Sequence, residues 1–148
     1  MEGYTEMNLI VVDASVVVKW FVEEEYSKDA DRIRKDYLNQ LIDIAVPSLL
    51  KYEVLNALRY SHAFGEDELR EVGKALDDYQ FLTIPLREEY LDGTIRRALK
   101  HGITIYDASY IAIGDVRRCE VYTADNKLLN KVGDDPIIKH VRNYRSRL

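Results

Sequence analysis

Four acidic residues stand where the sequence pattern predicts the ends of strands or the faces of helices. Asp13 follows the aliphatic run Leu9–Val12, and Asp125 follows a second short apolar run. Asp107 opens a strongly apolar helical stretch, whereas Glu53 lies within another helical stretch. In an open α/β sheet, ligands bind beyond the carboxyl ends of the parallel strands. These carboxylates are therefore expected to share one edge of a sheet.

Carboxylates that gather without lysine or arginine partners repel one another, and this repulsion raises their pKa values. A shared divalent cation removes the conflict, and ligation by oxygen alone suits Mg²⁺ or Mn²⁺. The residue types therefore point to a site for a divalent metal ion.

Each acid also has a purely structural interpretation. Aspartate is a preferred N-cap, so Asp107 and Asp125 each qualify as helix caps, and Asp13 qualifies as the cap of a helix near Ser15. Glu53 qualifies as an ordinary solvent-facing residue of its helix. Both interpretations stay open for every single residue, but the four acids together favour the functional one.

The elements that must position these acids alternate along the chain. Short apolar strands between amphipathic helices predict an α/β fold, a three-layer α/β/α sandwich around a central, mostly parallel five-stranded sheet. The predicted strands are Leu9–Val12, Ile42–Val46, Phe81–Ile84, Glu120–Thr123 and Pro136–His140. The predicted helices are Ser15–Phe21, Ser27–Leu41, one from Ser48 that Gly65 terminates, Glu66–Tyr79, Arg87–His101 before Gly102, Tyr106–Arg117 and Asn126–Val132.

Bulk properties limit the class of protein. The chain has 148 residues, 47% of them hydrophobic and 32% charged, which predicts a single globular domain spanning residues 1–148. No apolar run is long enough to span a bilayer, and acids near the N-terminus do not fit a signal peptide. The single cysteine, Cys119, has no partner for an internal disulfide, so we expect a cytoplasmic protein. The net charge of -5 argues against a large basic surface.

Four fragments, in order along the chain, resemble the PIN-domain nucleases, and most closely the VapC-type toxins of prokaryotic toxin–antitoxin pairs. The resemblance runs from Val12 to about Val132. The fragments are Val-Val-Asp13-Ala-Ser15-Val-Val-Val-Lys-Trp-Phe, Pro47 with Glu53 and Ala57-Leu58, Tyr106-Asp107-Ala-Ser-Tyr-Ile-Ala, and Thr123-Ala-Asp125. Any one fragment is weak, but the four together are specific, and none of the four acids is missing.

This resemblance implies a site and a set of partners. Asp13, Glu53, Asp107 and Asp125 would bind Mg²⁺ or Mn²⁺, and Asp13 and Asp107 are the preferred direct ligands. Ser15 and Thr123 would support the acids or hydrogen-bond a substrate phosphate, although both also fit as capping residues at strand ends. The implied substrate is RNA, and the implied partners are a second copy of the chain and a VapB-type antitoxin. The helix around Leu49–Tyr60 is one plausible wall of the antitoxin groove.

Other functions fit less well. A haloacid-dehalogenase phosphatase needs a second aspartate where Ser15 stands, and a phosphorelay receiver needs an aspartate after the third strand, where Pro85 follows. Cys119 and the scattered histidines form no catalytic or metal-binding motif. Two rivals remain: a PIN-fold module that binds RNA or protein without cutting, and a freestanding nuclease that processes RNA.

Overall fold

The computed structural model describes residues 8–148. Within this range the chain alternates strands and helices along nearly its whole length. The strands are β1 (Leu9–Val12), β2 (Asp43–Pro47), β3 (Leu82–Ile84), β4 (Val121–Thr123) and β5 (Ile138–His140). The helices are α1 (Ala14–Val18), α2 (Ser27–Leu38), α3 (Leu50–Tyr60), α4 (Glu66–Tyr79), α5 (Glu88–His101), α6 (Ile105–Arg117) and α7 (Asn126–Val132), and a 3₁₀ turn, Val141–Asn143, follows β5.

The strands form one sheet in the order β3-β2-β1-β4-β5. Every pairing is parallel, and the helices between the strands complete the predicted three-layer α/β/α sandwich. All four residues of β1 are buried, because parallel sheets carry helices on both faces. The predicted fold class is confirmed, and the sheet is parallel throughout.

The order of the strands creates a switch point at the centre of the sheet. The chain builds outward from β1 through β2 to β3, and then returns to the other side of β1 for β4 and β5. The connections after β1 and β4 therefore leave in opposite directions, which opens a crevice beyond their carboxyl ends. Asp13 follows β1, and Asp125 closely follows β4. The topology alone thus brings two of the predicted acids together.

Close packing between α5 and α6 holds α6, which carries Asp107, against the sheet. Gly93 of α5 faces Ala112 of α6 so closely that a methyl group on the glycine would lie 3.3 Å from the alanine Cβ. Tyr110 and Ile113 of α6 are buried in the main core. The start of α6 is consequently fixed relative to β1.

Several predicted boundaries are wrong. Ser48 does not cap α3, because Leu49 occupies the cap position and makes no side-chain cap bond. Gly65 does not terminate α3, which ends at Tyr60 and is followed by His62 in the left-handed region at φ 63°. Gly65 instead begins α4, and its backbone N–H donates to Glu68 Oε1 at 2.7 Å.

Other boundaries agree with the prediction. The bounds of α4 and α7 match those predicted, and Gly102 ends α5 in the left-handed region at φ 64°, where glycine carries no Cβ penalty. The predicted extension of α2 to Leu41 is wrong, since α2 ends at Leu38. In the described part of the chain no helix is both long and apolar enough to cross a bilayer.

Candidate active site

All four predicted acids line one cavity of about 470 Å³ at the switch point of the sheet. The cavity also contains Ser15, which was predicted to support the acids. Its remaining lining residues are Ala14, Val18, Lys19, Glu24, Ala57, Tyr110 and Ala124. Residues more than a hundred positions apart in the sequence therefore meet at one place, as the strand-end argument predicted.

Asp13 is the most deeply buried of these acids, with 6% of its surface exposed. It caps α1, accepting a hydrogen bond at Oδ1 from the Val16 backbone N–H at 3.4 Å, and the Ser15 hydroxyl donates to the same oxygen at 2.5 Å. Burial raises the pKa of Asp13 to about 6. Hydrogen bonds from Ser15 and Thr123 oppose this rise in pKa, and the charge of Asp107 adds to it.

Ser15 and Thr123 connect the ends of β1 and β4. The Ser15 hydroxyl accepts from the Ala124 backbone N–H at 2.8 Å and lies 3.4 Å from the Thr123 hydroxyl. Thr123 has no exposed surface, and its hydroxyl accepts from the Asp125 backbone N–H at 3.0 Å. The structure therefore favours a supporting role for Thr123 over direct contact with a substrate.

Glu53 reaches the cavity from the first turn of α3. The hydroxyl of the buried Tyr110 donates to Glu53 Oε1 at 2.7 Å, which fixes the carboxylate relative to α6. Partial burial raises the pKa of Glu53, the hydrogen bond from Tyr110 opposes that rise, and the charge of Asp107 adds to it. Glu53 is thus half-buried beside the cavity and is not an ordinary surface residue.

Asp107 lies in the first turn of α6, but it is not the cap of that helix. Thr104 is the N-cap, and its hydroxyl accepts from the Asp107 backbone N–H at 3.0 Å. Partial burial raises the pKa of Asp107, and the charge of Asp125 raises it further. Because the capping position is already filled, the structural interpretation of Asp107 as a cap is wrong.

Asp125 is both a cap and a cavity residue. Its Oδ1 accepts from the backbone N–H groups of Lys127 and Leu128 at 2.9 and 3.2 Å, at the start of α7. The cap bonds of Asp13 likewise all use Oδ1. Capping occupies one oxygen of each carboxylate, so the structural and the functional interpretations are compatible at these two residues.

The cavity is not free of cations, as the sequence argument supposed. Lys19 lines it with only 8% of its side chain exposed, and its ammonium lies 2.6 Å from Glu24 Oε2. The charge of Lys131 also acts on Asp107 and lowers its pKa. Lys19 is paired with Glu24, whereas the charge of Asp107 still raises the pKa values of Asp13 and Glu53, and the charge of Asp125 raises that of Asp107. Repulsion between the acids therefore remains.

Sequence reasoning missed Lys19, Glu24 and Tyr110. Lys19 stands in the apolar run of the first fragment, four residues after Ser15 and hence on the same side of a helix. Tyr110 follows Asp107 by three residues, which also places the two side chains on one helical face. Both spacings are visible in the sequence, whereas the position of Glu24 after α1 depends on the folded loop.

The carboxylate oxygens around the cavity are suitable ligands for a hard divalent cation, although the side chains do not form a closed binding site. The acids around the cavity supply oxygen ligands, and burial, with a smaller contribution from neighbouring carboxylates, raises the pKa values of Asp13, Glu53 and Asp107. Among residues 8–148, no group of three or more His, Cys, Asp or Glu side chains converges tightly enough to hold a metal ion. Mg²⁺ commonly retains several waters and binds through only one or two carboxylates, so an open arrangement is compatible with it.

The fold and the site together define the class of protein. The family model described as the PIN domain matches residues 10–134, and the chain belongs to this family. Among curated proteins it is similar to ribonuclease VapC3 of Pyrobaculum aerophilum, with 33% identity over 127 residues, covering 82% of this chain and 93% of that protein.

Solved structures share the fold. A toxin–antitoxin complex from Klebsiella pneumoniae contains a chain with a TM-score of 0.64 and 16% identity, covering 89% of this chain and 97% of the other. The protein PAE2754 from Pyrobaculum aerophilum has a TM-score of 0.61 and 25% identity, covering 90% of this chain and 83% of its own. The first of these similarities concerns the fold alone.

Proposed function

We propose that this chain is a metal-dependent endoribonuclease that hydrolyses RNA phosphodiester bonds, and that it is the toxin of a VapBC-type toxin–antitoxin pair. The observation that carries the proposal is the meeting of Asp13, Glu53, Asp107 and Asp125 around one cavity at the switch point of the sheet. The similarity to ribonuclease VapC3 over most of both chains supports the reaction class.

In this proposal Asp13 and Asp107 hold Mg²⁺ or Mn²⁺ directly, and Glu53 and Asp125 act as further ligands or hold water. A bound cation of this kind supplies an activated water and neutralises charge on the phosphate. Tyr110 orients Glu53 through the hydrogen bond to Oε1, so that the carboxylate can receive the proton of the attacking water. Ser15 keeps Asp13 oriented through its 2.5 Å hydrogen bond.

The proposal includes an antitoxin and a cytoplasmic location. Resemblance to VapC-type toxins supports the antitoxin, which would mask the cavity until the toxin is needed. Cytoplasmic RNA is the substrate that an unneutralised toxin would meet. The single cysteine, Cys119, is buried, which agrees with a chain that needs no oxidising compartment.

A second copy of the chain is the other proposed partner, and α5 offers the best surface for it. Leu91, Ile95 and Leu99 follow one another at four-residue spacing and are 37%, 43% and 80% exposed. The first turns of α5 carry acids and its last turns carry bases. In a twofold interface the same surface of both subunits meets. An antiparallel pair of α5 helices would therefore bury Leu91, Ile95 and Leu99 of both copies and set the acidic end of each helix against the basic end of the other.

Cleavage and metal binding test the proposal together. Purified protein is incubated with a pool of structured RNAs in Mg²⁺, Mn²⁺ or EDTA, beside the variants Asp13→Asn and Asp107→Asn. We expect cleavage in either metal, none in EDTA, and none from either variant. Millimolar Mn²⁺ should also raise the melting temperature of the unaltered protein, because a ligand that binds only the folded state stabilises it.

Asp78→Asn is the matched control, since Asp78 is an exposed acid of α4 outside the cavity; it should cut and bind Mn²⁺ normally. If the folded protein neither binds metal nor cuts RNA, the chain is instead a PIN-fold module that binds RNA or protein without cutting. Metal-dependent cutting without growth arrest on expression would favour a freestanding RNA-processing enzyme over a toxin.

A further inference from the structure

A second depression adjoins the carboxylate cavity and shares Glu53 with it. It has a volume of about 580 Å³, and its other lining residues are Leu49, Tyr52, Asn56 and Tyr106. Because Glu53 lies between the two hollows, a molecule bound with its reacting phosphate at the acids extends naturally into the second one.

The depression presents two aromatic rings to solvent. Tyr52 is 80% exposed and Tyr106 is 61% exposed, and contiguous exposed apolar surface rimmed by polar residues marks interaction sites. Each tyrosine directly precedes an acid of the cavity in the sequence, Glu53 and Asp107 respectively. The backbone that fixes these acids therefore also fixes the two rings at the rim.

Polar groups of α3 extend from the rings along the same side of the helix. Asn56 follows Tyr52 by four residues, and Arg59 follows by seven, so all three lie on one helical face. An amide offers both donors and an acceptor, which suits the edge of a nucleobase. Within the described residues the Arg59 guanidinium pairs with no carboxylate and instead stacks over Tyr60, 5.4 Å from the ring centroid. It is available to a phosphate.

We propose that this depression is a nucleotide subsite, in which an unpaired base of the RNA beside the scissile phosphate stacks on Tyr52 and Tyr106. Asn56 hydrogen-bonds the edge of that base, and Arg59 meets a phosphate farther along the strand. The proposal rests on the proposed nuclease function. It adds where the RNA strand lies and which residues determine the base preferred beside the cut. It also requires a single-stranded substrate, because paired bases have no free faces for stacking.

The combination of groups favours RNA over a protein segment as the occupant. The two rings and the amide that line the depression, with the Arg59 guanidinium farther along α3, match the alternating bases and phosphates of a strand. The guanidinium offers a cation to a phosphate, and the overlap at Glu53 connects the depression to the cavity lined by the four acids.

The test maps cut sites in a random-sequence, single-stranded RNA pool and measures KM and kcat on one cleaved oligonucleotide. Tyr52→Ala and Tyr106→Ala should each raise KM by about 5- to 100-fold, with kcat less affected, and should flatten the base preference beside the cut. Asn56→Asp should change which base is preferred, because the carboxylate has lost the amide donors.

Tyr52→Phe is the matched control, since it keeps the ring face and loses only the hydroxyl; it should retain KM and base preference. Leu38→Ala truncates another exposed side chain, 53% exposed on α2, and should also leave both unchanged. Unaltered KM and base preference in both tyrosine-to-alanine variants would overturn the subsite. If these two variants cleave RNA normally but no longer bind a protein that copurifies with the unaltered chain, the subsite is likewise overturned and the surface is assigned to a protein partner.

Equilibrium binding separates failure of the subsite from failure of the nuclease function. Fluorescence anisotropy with labelled single-stranded and duplex RNA in Mg²⁺ needs no cleavage when Asp107→Asn protein is used. Preference for the single strand that Tyr52→Ala abolishes would support the subsite even if the unaltered protein cuts nothing. If single-stranded and duplex RNA bind equally well and Tyr52→Ala changes neither affinity, the subsite is refuted, but the proposed nuclease function is not.

Discussion

Replacing Asp13 by asparagine should stabilise the metal-free protein at neutral pH. Asparagine is nearly isosteric with aspartate and caps helices equally well, so its Oδ1 can keep the bonds from Ser15 and Val16. The substitution therefore removes a buried negative charge and little else. Burial raises the pKa of Asp13 from its ordinary value of 3.8 to about 6, which makes its ionised form unfavourable in the folded state.

The size and sign of the effect follow from linkage between protonation and folding. Between pH 4 and 6 the folded protein holds the proton of Asp13 more tightly than the unfolded chain does. The stability of the unaltered protein relative to Asp13→Asn therefore falls as pH rises through this window, and levels off above pH 6. The expected advantage of the variant is about 1 kcal/mol at pH 4.5 and about 3 kcal/mol at pH 7.5.

Urea unfolding in EDTA at these two pH values measures the difference in the free energy of unfolding. Comparing the two proteins at each pH cancels the titration of groups that do not interact with Asp13. Asp125→Asn is the matched control, because Asp125 also caps a helix beside the cavity but is only half-buried; its effect should stay within about 0.5 kcal/mol. An Asp13→Asn advantage that is absent or identical at both pH values would refute the electrostatic reasoning.

The other predictions concern packing. A methyl group on Gly114 would lie 2.5 Å from Val121 Cγ2, so Gly114→Ala should lower the free energy of unfolding by about 1–3 kcal/mol. Gly73→Ala, in a helix with nothing within 4 Å, should instead raise it by up to about 1 kcal/mol; the same sign in both would contradict the packing argument. Leu99→Asp and Ile95→Asp should convert the proposed dimer into a monomer in light scattering, and a monomeric unaltered protein would remove that proposal.

The fold was predictable because its signals are local. Short Val- and Ile-rich strands alternate with amphipathic helices, and parallel strands separated by helices leave few possible arrangements. The same rule predicted that Asp13 and Asp125 would meet, since each follows a strand that ends at the same edge. Glu53 and Asp107 were harder to place from pattern alone, because each sits on a helix whose orientation depends on packing.

Contacts between distant segments were not predictable. Asp36 of α2 is 1% exposed and accepts hydrogen bonds from the Tyr144 hydroxyl and the Arg147 backbone N–H at 2.5 and 2.8 Å. In the sequence Asp36 stands among the polar residues of a predicted amphipathic helix, and nothing in the pattern connects it to the basic C-terminal segment. Likewise Arg97 belongs to a basic cluster in the sequence, yet it binds Asp115 and Asp135 in the fold.

Hydrogen bonds around the cavity reduce the cost of burying ionised carboxylates in the folded protein. Burial disfavours the charge of Asp13, whereas hydrogen bonds from Ser15 and Thr123 favour it; without those hydroxyls the carboxyl would hold its proton more tightly. Tyr110 does the same for Glu53. These neutral donors lower the pKa of each acid without adding a competing positive charge beside it. Lys19 reaches the same cavity but is paired with Glu24, so the donors to the most buried acid are neutral hydroxyls and a backbone N–H. This arrangement is compatible with the proposed metal site.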